Sequence, residues 1–352
     1  MPFRDLVNQS HAVMLLRAAQ HRGHVSHAYL FAGPSGVGRY DAAVAFAQLL
    51  NCERSHAQSG DACGECRPCR LIASGQYPDV RTVDVTRGLL LDPQDTTRTV
   101  IGIDQVRALR HDVSFPPLEG RAKVYIFAGA DRMQPEAANS LLKILEEPPP
   151  QVVIILIAES TVPMLPTVVS RCQLVRFTLI PPGEIEQALI ARHALDPGRA
   201  RFIAALAGGQ LGKAISWATS PEALEWREQA LDLLERMETA DPLERIDAAE
   251  AAAKDKDRVG DLLDVALFWY RDTLVWQELR DDAHLINLDR RDRIAALAAA
   301  VPGPVLSERI RALEEAKEDL RRNVHPRLLL EHLFLRLTPP APVTASDAAP
   351  SR

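Results

Sequence analysis

One stretch constrains this chain more than any other: Leu30-Phe31-Ala32-Gly33-Pro34-Ser35-Gly36-Val37-Gly38-Arg39-Tyr40. Its glycines keep the G-x-x-x-x-G spacing of a phosphate-wrapping loop. An apolar run, Ala28–Ala32, precedes it, and a helical pattern through Ala42, Phe46, Leu49 and Leu50 follows. Such a loop needs that strand and that helix, because its N–H groups and the helix N-terminus act on the same anion. The two residues with ionic roles are nevertheless missing. Arg39 stands where a lysine would reach the β- and γ-phosphates, and Tyr40 where a Ser or Thr hydroxyl would hold Mg²⁺.

A second strand repeats the lesion. Lys123–Ala128 is a continuous apolar run of strand length, and it ends in Ala128-Gly129 where an acidic pair would hold the metal and activate water. Asp131 follows three residues later, on what reads as the wrong part of the turn. Two independent losses argue against ATP hydrolysis and make ATP binding by this chain unexpected, while simple nucleotide or phosphate binding stays open.

Further apolar runs at Val80–Val85, Val152–Ala158 and Leu174–Phe177 alternate with helical stretches. These include Ile103 to about Val113, with Asp104 near its N-cap, and Pro135–Glu147, stopped by Pro148-Pro149-Pro150. The alternation predicts a parallel α/β sheet covered on both faces. A helix with Val13–Ala19 as its apolar stretch precedes the first strand, and Thr86–Thr99 reads as a variable loop. Beyond Pro181-Pro182-Gly183 the pattern is helical: Glu184–Ala194, Arg199–Ala207, a third helix opened by Gly208–Lys213, and about Leu243 to Leu337. The expected organisation is an α/β core over 1–180 with an insertion at about 51–76, small helices over 181–240, an all-helical domain over 241–338 and a disordered Pro/Ala/Ser-rich tail over 339–352.

At 352 residues the chain is long enough for two or three cores. A net charge of −6 excludes gripping nucleic acid by bulk charge, so any DNA contact must be local. No apolar run is long enough for a membrane span, and the N-terminus has no secretory pattern. A cytoplasmic location is expected, where disulfides are rare.

Cys52, Cys63, Cys66 and Cys69 are spaced C-x₁₀-C-x₂-C-x₂-C. Four sulfurs in a closed set suit a structural Zn²⁺ site with no open position for catalysis. Unligated thiols and an iron–sulfur cluster are the alternatives, but in the latter's usual pattern the fourth cysteine lies downstream, before a proline. Ser170-Arg171-Cys172, after Leu165-Pro166-Thr167, places an arginine just ahead of the last strand. By itself the tripeptide reads as a surface arginine at a helix end.

Taken together, these segments resemble the AAA+ subunits of the bacterial DNA polymerase III clamp loader. The likeness is carried by His27–Phe31 with Gly33–Gly38, the cysteine insertion, Ile103-Asp104-Gln105-Val106-Arg107, Ala137 through Pro149, Leu165-Pro166-Thr167 and Ser170-Arg171-Cys172. The helical third matches only in character, best at Asn323–Leu328. The resemblance implies an AAA+ P-loop-type core, a helical lid (181–240) and an all-α collar (241–338) that holds subunits together. The gamma/tau motor subunits of this family keep the lysine, hydroxyl and acidic pair; Arg39, Tyr40, Ala128 and Gly129 place this chain with the non-hydrolysing subunits. Further implications are Arg171 as an arginine finger acting in trans on a neighbour's ATP, zinc on the four cysteines, and gamma/tau and delta subunits as partners. The sliding clamp and primed DNA would be engaged within the complex. Lys213 falls where the family places a basic lid residue facing the nucleotide, although a solvated lysine at a helix start fits as well. Arg107 and Arg110 could meet DNA phosphates, or simply form a solvated helix face. An active gamma/tau-type motor and a zinc-stabilised scaffold unrelated to the clamp are the competing readings.

Overall fold

A computed structural model describes residues 2–54, 60–85, 100–322 and 324–337. The expected loop Thr86–Thr99, the expected disordered tail from 339 and Asn323 lie outside the described residues. The chain divides into two compact units, Met1–Ile215 and Ser216–Arg352.

The first unit begins with a 3-10 turn, Phe3–Asp5, and helix α1, Ser10–His21. Strand β1 (Ala28–Ala32) and helix α2 (Arg39–Asn51) enclose the glycine loop. Then come α3 (Arg67–Ala73), β2 (Val80–Val83), α4 (Ile103–Asp112), β3 (Lys123–Ala128) and α5 (Pro135–Glu146). Strand β4 (Val152–Ala158), the single turn α6 (Pro166–Val169) and β5 (Gln173–Arg176) complete the sheet. Helices α7 (Pro182–His193), α8 (Pro197–Leu206) and α9 (Leu211–Thr219) follow.

All five strands pair in parallel, in the order β2-β3-β4-β1-β5. Strand β1 alternates across the sheet. Tyr29 and Phe31 face a core with Leu16 and Phe46, whereas Ala28 and Leu30 face a second with Val106, Leu109 and Leu141. Burial on both sides explains why the run reads as continuously apolar. Each fully buried Tyr, Leu or Phe contributes about 1.5–3 kcal/mol.

The strands and helices expected from the sequence form, with local differences. Strand β2 stops at Val83, and the Asp84 carbonyl beyond it accepts from the Gln105 side chain at 2.9 Å instead. Helix α4 is capped by Gly102, whose N–H donates to Gln105 Oε1 at 3.1 Å; Asp104 sits in the first turn. Helix α9 opens at Leu211 rather than Gly208, because Gly208 (φ +57°) and Gly209 (φ +85°) lie in the left-handed region and cannot begin a right-handed helix.

Every regular element among the described residues of the second unit is helical: α10 (Pro221–Met237), α11 (Pro242–Ala252), α12 (Val259–Leu279), α13 (Arg291–Ala300), α14 (Gly303–Arg321) and α15 (Pro326–Arg336), with short 3-10 turns between. Its core is built around Trp269, Tyr270, Leu313, Leu330 and Phe334. Among the described residues no helix is long and apolar enough to cross a membrane.

Candidate functional site

The glycine loop lies at the C-terminal end of β1, against the end of β5. Gly33 (φ +155°) must be glycine here, since a Cβ would sit 2.3 Å from the Phe177 carbonyl oxygen. Gly36 (φ +70°) and Gly38 (φ +92°) turn the chain into α2. The loop borders a cavity of about 690 Å³ lined also by Asp84, Asp131, Glu159 and the start of α9. That volume falls in the ordinary range for small-molecule sites.

Inside the cavity the charges are arranged differently from those of a hydrolysing site. Arg39, on the first turn of α2, is buried and its guanidinium lies 3.9 Å from Glu159 Oε1. Burial pushes its pKa down, and the carboxylates of Glu159 and Asp131 push it back up; a guanidinium stays charged throughout. Its Nη1 is buried with no hydrogen-bond partner among the described residues. The Tyr40 hydroxyl turns away to the sheet edge and pairs with Thr82 Oγ1 at 3.1 Å. At the end of β3, a Cβ on Gly129 (φ +83°) would come within 2.7 Å of the Arg132 guanidinium. A cation therefore occupies the space next to the missing acidic pair. Asp131, expected on the wrong part of the turn, does line the cavity, where it accepts from the Glu159 N–H at 3.0 Å.

Helix α9 closes over the loop. The Gly212 N–H donates to the Gly36 carbonyl at 2.8 Å, and a Cβ on Gly212 would be 3.2 Å from Gly36 Cα. Leu211, Gly212 and Ile215 line the cavity. Lys213, half-buried in the first turn of α9, brings its backbone nitrogen near Gly36, but its side chain does not line the cavity.

Arg171 follows α6 and leads into β5, at the end of the sheet opposite the glycine loop. Its Nη1 donates to the Thr167 carbonyl at 3.0 Å and its Nη2 pairs with Glu146 Oε1 at 2.7 Å. Arg107 and Arg110 are exposed one turn apart on α4.

The four cysteine sulfurs lie within 4.8 Å of one another, with Cys52 Sγ to Cys66 Sγ at 3.9 Å and Cys63 Sγ to Cys69 Sγ at 4.0 Å. Four sulfurs about 2.3 Å from a tetrahedral Zn²⁺ would be about 3.8 Å apart, so the set fits that ion. Backbone N–H groups of Glu65 and Cys66 donate to Cys63 Sγ at 3.4 and 3.2 Å. Burial raises the Cys63 thiol, but those N–H groups and the neighbouring sulfurs outweigh it and bring the pKa down to about 7. Burial pushes Cys52 and Cys69 up. A metal would have to displace those protons, as thiolate sites require.

Comparison with known proteins places these features in a family. The family described as "DNA polymerase III, delta subunit" matches residues 8–181, and "DNA polymerase III, delta subunit, C terminal" matches residues 221–338. The delta-prime subunit of DNA polymerase III from Bacillus subtilis is 33% identical over 332 residues, 94% of this chain and 96% of that protein. This chain belongs to the DNA polymerase III delta-prime family. The Pseudomonas aeruginosa delta-prime subunit is 40% identical over 151 residues, 43% of each chain. The B. subtilis tau subunit is 28% identical over 98% of this chain, which spans 63% of that longer protein. Among solved structures, the B. subtilis DNA clamp loader delta protein aligns over 92% of this chain and 99% of its own at 12% identity, with a TM-score of 0.35.

Of the residues singled out from the sequence, Gly36, Gly38, Arg39 and Tyr40 border one cavity, the cysteines form one cluster, and Arg171 stands apart from both. Arg132 and Glu159 were not foreseen. Neither belongs to a local motif, and only the folding of β3 and β4 side by side brings them to Arg39.

Proposed function

We propose that this delta-prime family member is a non-hydrolysing subunit of the DNA polymerase III clamp loader, helping to place the sliding clamp on primed DNA beside gamma/tau and delta subunits. The observation that carries this reading is the internal neutralisation of the nucleotide pocket. Arg39 faces the protein's own Glu159 and Asp131, Tyr40 is committed to Thr82, and Arg132 fills the space beside Gly129. The lysine, the hydroxyl and the acidic pair that would reach a γ-phosphate and hold Mg²⁺ are all replaced, so on this reading the chain itself does not turn over ATP. The helices from residue 181 to about 220 act as the lid, and the helical unit from α10 to α15 acts as the oligomerising collar, so α10 joins the collar rather than the lid expected over 181–240.

Arg171 acts as the arginine finger, stabilising charge on the γ-phosphate of an ATP held by an adjacent gamma/tau subunit. Its pairing with Glu146 is half-exposed on both sides. An ion pair of that kind is worth about 0–1 kcal/mol, so releasing the guanidinium toward a neighbour costs little. The cysteines hold structural zinc.

The test is the reconstituted complex. With Arg171→Ala, assembly should persist while DNA-stimulated ATPase falls by roughly 10³-fold or more at the adjacent site, the range for loss of a finger. Unchanged ATPase in an intact complex would remove the finger. Substantial turnover by the isolated chain would instead favour the motor reading.

A further inference from the structure

The eight residues from Pro2 to Gln9 touch the cysteine module at one end and the nucleotide loop at the other. At the first end, the buried carboxylate of Asp61 accepts from the Phe3 N–H and the Arg4 N–H, both at 3.0 Å, and from Arg17 Nη2 at 3.0 Å. The Arg4 guanidinium donates to the carbonyls of Ala62 at 3.2 Å and Cys63 at 3.0 Å, the latter a cluster cysteine. The Phe3 side chain is buried against Phe46 and lies under Arg17. Gly64 (φ +81°) lets Pro2 approach, since a Cβ there would be 3.1 Å from Pro2 Cγ.

At the other end, the Asp5 carbonyl accepts from Arg192 Nη2 of α7 at 2.6 Å. Leu6 packs 3.7 Å from the Cβ position of Gly38. The Gln9 amide donates to the carbonyls of Val37 at 3.4 Å and Thr178 at 2.9 Å, while its oxygen accepts from the Thr178 N–H at 3.4 Å. Asn8 takes a left-handed turn (φ +49°) that aims this end at the loop.

We infer that the four-cysteine module is the clasp of an N-terminal strap. Metal held by Cys52, Cys63, Cys66 and Cys69 fixes Asp61 and the Cys63 carbonyl. These hold Phe3 and Arg4, and the strap in turn braces the glycine loop and α7. The inference rests on the metal reading of the cysteines given above. The physical logic is that Asp61 lies two residues before Cys63. No disulfide joins the four sulfurs, so it is shared ligation that would set the position of the segment carrying the carboxylate.

Hydrogen exchange on the full chain tests this, with metal content measured in parallel. Metal stripping under reducing conditions should speed exchange about tenfold or more at residues 3 and 4, whose N–H groups lose a charged acceptor, should also speed it across residues 5–6 and 33–38 as the strap loosens, and should leave β3 unchanged. Asp61→Asn and Arg4→Ala should loosen the same two segments while retaining the metal. Metal that is present but whose removal leaves residues 3–6 and 33–38 unchanged overturns the clasp alone. If β3 speeds up equally, the metal holds the whole sheet and the clasp also fails. Protein that carries no metal overturns the metal reading and the clasp with it.

Discussion

At the scale of single residues, the proposed loss of hydrolysis rests on four positions, so repairing two should not restore it. Arg39→Lys combined with Tyr40→Thr recovers the loop's lysine and hydroxyl but leaves Ala128, Gly129 and the Arg132 guanidinium where the metal's acids belong. Phosphate release by this double variant should stay at background, and turnover approaching that of a motor subunit would show that the pocket is only two substitutions from activity. Cys172, the one cysteine outside the cluster, offers a pH test. Burial pushes its thiol from 9.0 up to about 12. Between those values the unfolded chain has released a proton that the folded chain keeps, so stability falls as pH rises through that window. Urea midpoints of wild type and Cys172→Ser should therefore converge on the alkaline side, with the half-buried wild-type thiol alkylated more slowly at neutral pH in the folded chain than in the unfolded one; equal rates in both states would contradict the burial.

At the scale of elements, the helical unit depends on one buried carboxylate. Asp272 of α12 is fully buried and accepts from the Ile286 N–H at 3.0 Å, the Asn287 N–H at 2.7 Å and the Asn287 amide at 2.9 Å. Asp272→Ala leaves those buried donors without their acceptor and should cost about 1–3 kcal/mol. Trp226, Trp269 and Trp276 belong to the core of the second unit, so with Trp217 of α9 replaced by Phe the tryptophan fluorescence follows that unit. An unchanged fluorescence midpoint would mean that the network around Asp272 adds nothing. Elements of this kind were legible in the sequence wherever burial is two-sided or periodic. Strand β1 and strand β4 stand out as apolar runs because both faces are covered, and α5 ends at its prolines. The four cysteines were legible because their cluster forms within one short segment. Arg132 beside Gly129, Glu159 facing Arg39 and Asp61 holding Phe3 were not. Each is a contact between segments distant in sequence, and a lone Asp, Glu or Arg carries no periodic mark of its partner. The opening of α9 was misread for a related reason, since glycines seen without their φ values pass equally for helix start and turn.

At the scale of the whole molecule, strand order has a consequence for how the chain is made. Strand β1 pairs only with β4 and β5, so its ladder runs from Ala28 to Ile154 and from Tyr29 to Gln173. Synthesis proceeds from the N-terminus, and a pairing this distant must wait for its partner to emerge. Until then Tyr29, Leu30 and Phe31, fully buried in the finished fold, have no sheet to enter. The cysteine cluster, by contrast, closes between Cys52 and Cys69. Nascent chains halted after β3 should already retain metal yet remain protease-sensitive around β1, and only chains extending past β5 should become resistant there. On the ribosome, the four-cysteine cluster is then complete early in synthesis, while a central strand of the sheet is among the last segments to find shelter.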